Sequence, residues 1–159
     1  MHDDDHIPDD LAGLYHDGHV RSIITSYGAD HHDAPTGSAL LADARTLPRP
    51  VVSLPVDRWG PDTTGRNATV RRQVMSTPGA RRLARHTAEK ARLLLAALPT
   101  WAGNEVMRVD VHVVGDHGHR RSVALADEIA AHLRAYGIGC LVEHRHLHHP
   151  APIPKEGRS

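Results

Sequence analysis

The run Gly115, Asp116, His117, Gly118, His119, Arg120, Arg121 and Ser122 gathers two histidines, two arginines and a hydroxyl into eight residues. Alternating apolar residues precede it, and a helical pattern follows. A loop that opens a helix presents free backbone N–H groups at the positive end of the helix dipole, which favours an anion. Gly118 lets the backbone approach a phosphate closely. Ser122 is placed either to cap the helix or to donate to a phosphate oxygen. The chemistry these residue types suit is phosphate binding.

Turnover is not expected there. Phosphoryl transfer to sulfur needs a thiolate inside the loop, and the lone cysteine, Cys140, lies beyond the helix, at the start of a strand where it packs in the core. A dehalogenase-type phosphatase would need a second aspartate where Asp110, Val111 and His112 stand. The chain contains no G-x-x-x-x-G-K-[ST] phosphate loop, so no nucleotide-hydrolysing P-loop is expected within it. No cofactor is expected.

The elements that position the loop follow from periodicity. Met107, Val109, Val111 and Val113 alternate with Arg108, Asp110 and His112, which predicts a strand ending at Gly115. Val123, Leu125, Ala126, Ile129, Ala130 and Leu133 predict a helix stopped by Gly137 and Gly139, and Cys140 to His144 a last strand. This is a strand-loop-helix-strand (βαβ) unit, with paired parallel strands and a right-handed crossover as the expectation. Ligands in such sheets bind at the carboxyl ends of the strands, where residues 115 to 122 fall.

Upstream, Val20 to Ser26 and Ala39 to Ala44 read as strands. Pro48 to Asn67 reads as a long irregular connection, and Val70, Val74 and Met75 as a short helix. From Pro78 to Leu98, Leu83, Thr87, Ala91, Leu94 and Leu98 recur at helical spacing, with Pro78 in the first turn. The expected fold is therefore a single α/β domain, a mixed or parallel sheet flanked by helices, carrying the anion-binding βαβ unit at its C-terminal end. It should span residues 20–147, between a disordered acidic arm (1–19) and a disordered tail (148–159).

Composition bounds the rest. With no Phe and only 3% aromatics, aliphatic residues must build the core of this 159-residue chain. No apolar run reaches the roughly 18 residues of a membrane span, and Met1 is followed by acids, so a cytoplasmic location is expected. Charge sums to zero, yet residues 1–19 hold six Asp and no Lys or Arg, leaving 19 basic residues against 13 acidic elsewhere. Eight of the basic residues lie between Arg66 and Arg92 with one acid, Glu89. Arg71, Arg72, Arg81, Arg82 and Arg85 are thus candidates to track RNA phosphates, without base stacking because no aromatic residue lies among them. The 15 histidines raise a metal reading, with His144, His146 and His148 on one strand face and His31 beside His32, but no metal is expected.

Several motifs, in order, resemble the C-terminal domain of the RapZ (RNase adapter protein) family. Ile24, Thr25, Ser26, Tyr27 and Gly28 are similar to its I-T-S-F-G strand exit, and Asp43, Ala44, Arg45, Thr46, Leu47 and Pro48 to its D-V-R-F-L-P. Thr64 and Gly65 resemble its T-G pair, and Thr77, Pro78 and Gly79 its T-P-G. Gly118, Arg121, Ser122 and Val123 match the end of its G-C-x-G-G-x-H-R-S-V loop in register, and His144 and Arg145 match the first part of H-R-D. The resemblance implies a regulatory domain that senses an amino-sugar phosphate, glucosamine-6-phosphate in the best-known members, and binds small RNA for presentation to a ribonuclease. It adds Thr25, Ser26, Asp43, Arg45, Thr64, Gly65, His144 and Arg145 to the loop as ligand-site candidates.

The departures lie in the loop. The family cysteine falls on Gly115 and the family histidine on Arg120, although a one-residue shift gives His119 that role. Asp116 beside a phosphate needs an offsetting cation, from Arg120, Arg121 or an ammonium on the ligand. The alternatives left standing are an RNA-binding adapter without metabolite sensing and a divergent phosphatase-like or metal-binding protein. Oligomeric state is not legible.

Overall fold

The computed structural model describes residues 18–49 and 63–149. Most of the acidic arm, residues 50–62 of the long connection and the tail from 150 onward lie outside them. The strands are β1 (Val20–Gly28), β2 (Leu40–Asp43), β3 (Trp101–Ala102), β4 (Glu105–Val106), β5 (Val111–Gly115) and β6 (Gly139–His144), and the helices α1 (Ala68–Met75), α2 (Ala80–Ala96) and α3 (Arg121–Ala135). Single 3-10 turns follow β1 (Ala29–His31) and β2 (Ala44–Thr46). β3 and β4 form a small antiparallel hairpin.

The four longer strands make one parallel sheet in the order β2-β5-β1-β6. The strand β1 sits between β5 and β6, and Ser22, Ile24, Thr25 and Ser26 on both of its faces are buried. Long burial on both faces is what a central parallel strand requires. Leu125, Ile129 and Leu133, one turn apart on α3, are fully buried, and α3 packs across β1, β5 and β6. Asn67 starts α1 by accepting from the amides of Thr69 (2.9 Å) and Val70 (3.3 Å). The end of α3 is a Schellman turn. Gly137 adopts φ 77°, its amide donates to Arg134 O, and Ile138 N donates to Leu133 O.

Four expectations change in detail. The strand anticipated from Met107 begins only at Val111: Val109 N still bonds to Arg21 O and Asp110 O accepts from Leu40 N, but Met107 and the Asp110 carboxylate take partners outside the ladder. Met107 bonds to Thr100 O and accepts from Arg21 Nε, and the Asp110 carboxylate, not a ladder carbonyl, accepts from Ile23 N at 3.0 Å. The strands β5 and β6 are parallel but do not pair with each other, since β1 lies between them. Pro78 precedes α2 instead of opening it. Gly79, at φ 86°, is the residue before its first turn.

The buried face of α2 is also rotated from the expected one. Ala80, Ala84, Thr87, Ala88, Ala91 and Leu95 are buried, while Leu94 is 47% exposed. Of the three consecutive leucines, only Leu95 is in phase with the alanine stripe, and small residues let α2 approach α3 and β2 closely. Leu95→Ala should therefore cost about 2–4 kcal/mol in urea denaturation, and Leu94→Ala less than about 0.5 kcal/mol. The reverse ranking would contradict this packing.

Candidate anion-binding cleft

The loop between β5 and α3 lies directly on the exit of β1. A Cβ at Gly28 would sit 2.3 Å from the carbonyl carbon of His117, and one at Gly118, which has φ 79°, would sit 2.6 Å from Gly28 N. No side chain fits between these backbones. Further bonds fix the approach: Asp30 N donates to Asp116 O (3.0 Å), His31 Nε2 reaches His117 O (3.0 Å), and Asp30 Oδ2 lies 2.8 Å from His117 Nδ1.

On the far side, the turn at Thr64 and Gly65 closes against the helix start. Gly65 N donates to His119 O (2.7 Å), and a Cβ there would meet Arg120 O at 2.3 Å. Arg120 Nε donates to Thr63 O at 3.1 Å. The result is a cleft of about 620 Å³ at the carboxyl edge of the sheet. Thr64 and all eight loop residues from Gly115 to Ser122 line it, together with Arg49, Thr63, Leu147, His148 and His149.

Arg121 is the best-held cation of the cleft. Its side chain is only 12% exposed, and it donates to Leu47 O (2.9 Å) and to Asp116 Oδ2 (2.5 Å). Arg49 lies 3.9 Å from the same carboxylate. Asp116 is thus offset by the protein's own arginines. Ser122 does not cap the helix, since the residue at the cap position, Arg120, offers no side-chain acceptor. The Ser122 hydroxyl is instead buried, with no hydrogen-bond partner among the described residues. A Cβ at residue 115 would press on that hydroxyl at 3.1 Å, so the close approach needs glycine there. An orphaned buried hydroxyl costs roughly 1–3 kcal/mol, which a ligand acceptor would relieve.

The remaining candidates fall outside the cleft lining. Asp43 and Arg45 form a bidentate pair (2.9 and 3.0 Å) after β2, and Arg45, with a smaller pull from Arg121, holds the Asp43 carboxyl below the usual carboxylate range. Thr25 is buried in β1. Ser26 Oγ lies 2.7 Å from His144 Nδ1, and His144 Nε2 lies 3.1 Å from Asp127 Oδ1. That chain has the order of a serine hydrolase triad, but Ser26 is wholly buried, so its work is to tie β1, β6 and α3 together. Arg145 makes a bidentate pair with Asp33 at 3.0 Å.

The basic segment is spread over two helices. Arg81, Arg82 and Arg85 are exposed on α2 and Arg72 on α1, whereas Arg71 pairs with Glu128 of α3 at 2.9 Å. Cys140 is buried with its Sγ 3.7 Å from Ala130 O, and burial pushes its thiol up.

Sequence reasoning missed the histidine cluster behind the loop. The strand β6 ends at His144, so His144, His146 and His148 do not share a strand face as the metal reading supposed. Instead His31 stacks on His146 with centroids 4.2 Å apart, and His149 joins them, bringing three nitrogens within 4.8 Å. These residues do not suit a metal ion. His146 Nδ1 accepts from Gly28 N at 2.9 Å, so its proton is on Nε2, facing Asp33 at 3.4 Å, and neither nitrogen has a lone pair to give. Two stacked rings, moreover, cannot both hold one ion in their planes.

Burial lowers the pKa of His146, opposed by Asp33, and also lowers that of His119. Arg145 first, then His146, brings Asp33 down to about 2, so this acid stays ionised across the histidine range. Because the folded state disfavours protonating His146 and His119, their contribution is present above the ordinary histidine pKa and is lost as pH falls below it. The melting temperature should fall as pH drops from about 7.5 to about 5.5. Part of that slope should vanish in His146→Asn, whose amide oxygen can still accept from Gly28. Equal slopes would contradict the assignment.

These features define a small parallel α/β domain with an arginine- and histidine-lined cleft at its strand ends. The sequence model of the RapZ C-terminal domain matches residues 20–148, and the chain belongs to that family. Its relatives include a nucleotide-binding protein of Thermobifida fusca, 31% identical over 131 residues, and one of Leifsonia xyli, 33% identical over 135. Each alignment covers 80% of this chain and 41% of the relative. A Bifidobacterium longum nucleotide-binding protein is 32% identical over 133 residues, covering 82% of this chain and 36% of that protein. The chain therefore spans about two fifths of the length of the curated relatives it matches. No helix of the described residues is long and apolar enough to cross a membrane.

Proposed function

We propose that this domain is a non-catalytic regulatory module whose cleft binds a phosphorylated small molecule. The observation that carries the reading is the buried, unpartnered hydroxyl of Ser122, beside Arg121 at the uncapped start of α3. A phosphate oxygen there would accept from the hydroxyl, from the free amides of the first helical turn and from a guanidinium already oriented by Leu47 O. No cysteine reaches the loop, so the ligand is held and not turned over. Membership of the RapZ family favours an amino-sugar phosphate such as glucosamine-6-phosphate. The names of the relatives keep nucleotides in the comparison.

Thermal-shift measurements against inorganic phosphate, glucosamine-6-phosphate, glucose 6-phosphate and nucleotides test this. A ligand at 100 times its Kd adds about 2.7 kcal/mol and should raise the melting temperature by roughly 5–10 °C. Ser122→Ala should leave the unliganded protein at least as stable and weaken the ligand about 5- to 10-fold, the equivalent of roughly one hydrogen bond. A panel without any shift would overturn the reading.

RNA binding is a second reading, favoured by Arg81, Arg82 and Arg85, which are exposed and have no acidic partner among the described residues. If this face tracks phosphates, as in an adapter that presents RNA to a ribonuclease, affinity should drop steeply with salt. Replacing the three arginines with alanine should flatten the log–log slope by about 2–3. An unchanged slope would remove α2 from the interface.

A further inference from the structure

The wall of the cleft that carries His119 contains a group no binding contact so far explains. His119 Nε2 contacts His149 O. A carbonyl can only accept, so the neutral ring keeps its proton on Nε2 and leaves Nδ1 unprotonated. That nitrogen has no hydrogen-bond partner among the described residues, in a ring that lines the cleft.

The groups around the ring come from three segments. Arg120 and the His117 ring, centroid 6.4 Å away, belong to the same loop, the His31 ring at 6.2 Å belongs to the turn after β1, and the segment after β6 supplies the His149 carbonyl. The nearby carboxylates are engaged with other partners: Asp30 with His117, Asp33 with Arg145 and His146, and Asp116 with Arg121. In the free protein, burial first and then the basic neighbours oppose a second proton on His119, against the pull of the His149 carbonyl. An anion in the cleft reverses the sign of that field.

We propose that His119 is a proton-coupled ligand group: arrival of an anion protonates Nδ1, which then donates to it, so that binding tightens as pH falls through the neutral range. The inference rests on the cleft being the anion site. His146 is not the group that takes up this proton, because its Nδ1 already accepts from Gly28 N.

Sulfate is the suitable probe because it does not titrate in this range, so any proton uptake belongs to the protein. Calorimetric titration at constant ionic strength, in two buffers of different ionisation heat, should show net proton uptake. Affinity should tighten about 5- to 10-fold between about pH 8 and about pH 6. His119→Gln keeps an N–H for the His149 carbonyl but cannot titrate. It should lose most of the proton uptake and most of the pH slope. Sulfate binding with the same pH dependence in both proteins, or with none in either, overturns the inference and leaves the cleft reading intact. Failure of both sulfate and inorganic phosphate to bind at every pH defeats the cleft reading and the inference with it.

Discussion

The backbones of Gly28 and Gly118 touch where the central strand leaves the sheet, and the cleft exists because nothing separates them. This contact brings the β5–α3 loop over the end of β1, so the free amides at the start of α3 face the space at the strand ends. Gly65 repeats the device on the other side, seating the 63–67 turn against Arg120 and Ala124. A methyl group at either place would push apart the two walls that enclose the site. Bonds from Asp30, His31 and His146 to loop or strand backbone then keep the approach in register.

The electrostatics of the cleft follow from that closeness. Arg121 is drawn under the loop, where Leu47 O and Asp116 hold it nearly buried. A guanidinium held by one carbonyl and one carboxylate keeps donors for a further acceptor and has little conformational entropy left to lose on binding. Ser122, beneath the same loop, has the opposite character, a donor without an acceptor. Together they give the proposed site one group already fixed and one unsatisfied. The Ser26–His144–Asp127 chain is different, because its hydroxyl and both imidazole nitrogens are partnered within the fold and it serves the sheet.

Much of this was legible in the sequence. The run from Gly115 to Ser122 announces itself by its position between a strand and a helix, and the ordered motifs from Ile24 to Arg145 point to the RapZ family. The aliphatic core follows from the absence of Phe. What could not be read comes from segments without periodicity: Arg49, Thr63, His148 and His149 reach the cleft only through the tertiary fold. The pairing of β1 with both β5 and β6 has no local signature either. The rotation of α2 turns on which of three adjacent leucines shares a phase with alanines, and apolar counting favoured the larger side chains. His146, which stands where the family motif has aspartate, holds the Gly28 amide through its Nδ1, a role with no local sequence signature.

The most direct test of the cleft as the ligand site is a backbone amide NMR titration with glucosamine-6-phosphate, using inorganic phosphate as the simpler probe. The account predicts the largest shift changes at Gly118, Ser122 and Val123, together with the Arg121 side-chain N–H signals, and little change along the exposed face of α2. Changes centred on Arg81, Arg82 and Arg85, with the loop amides unmoved, would contradict it.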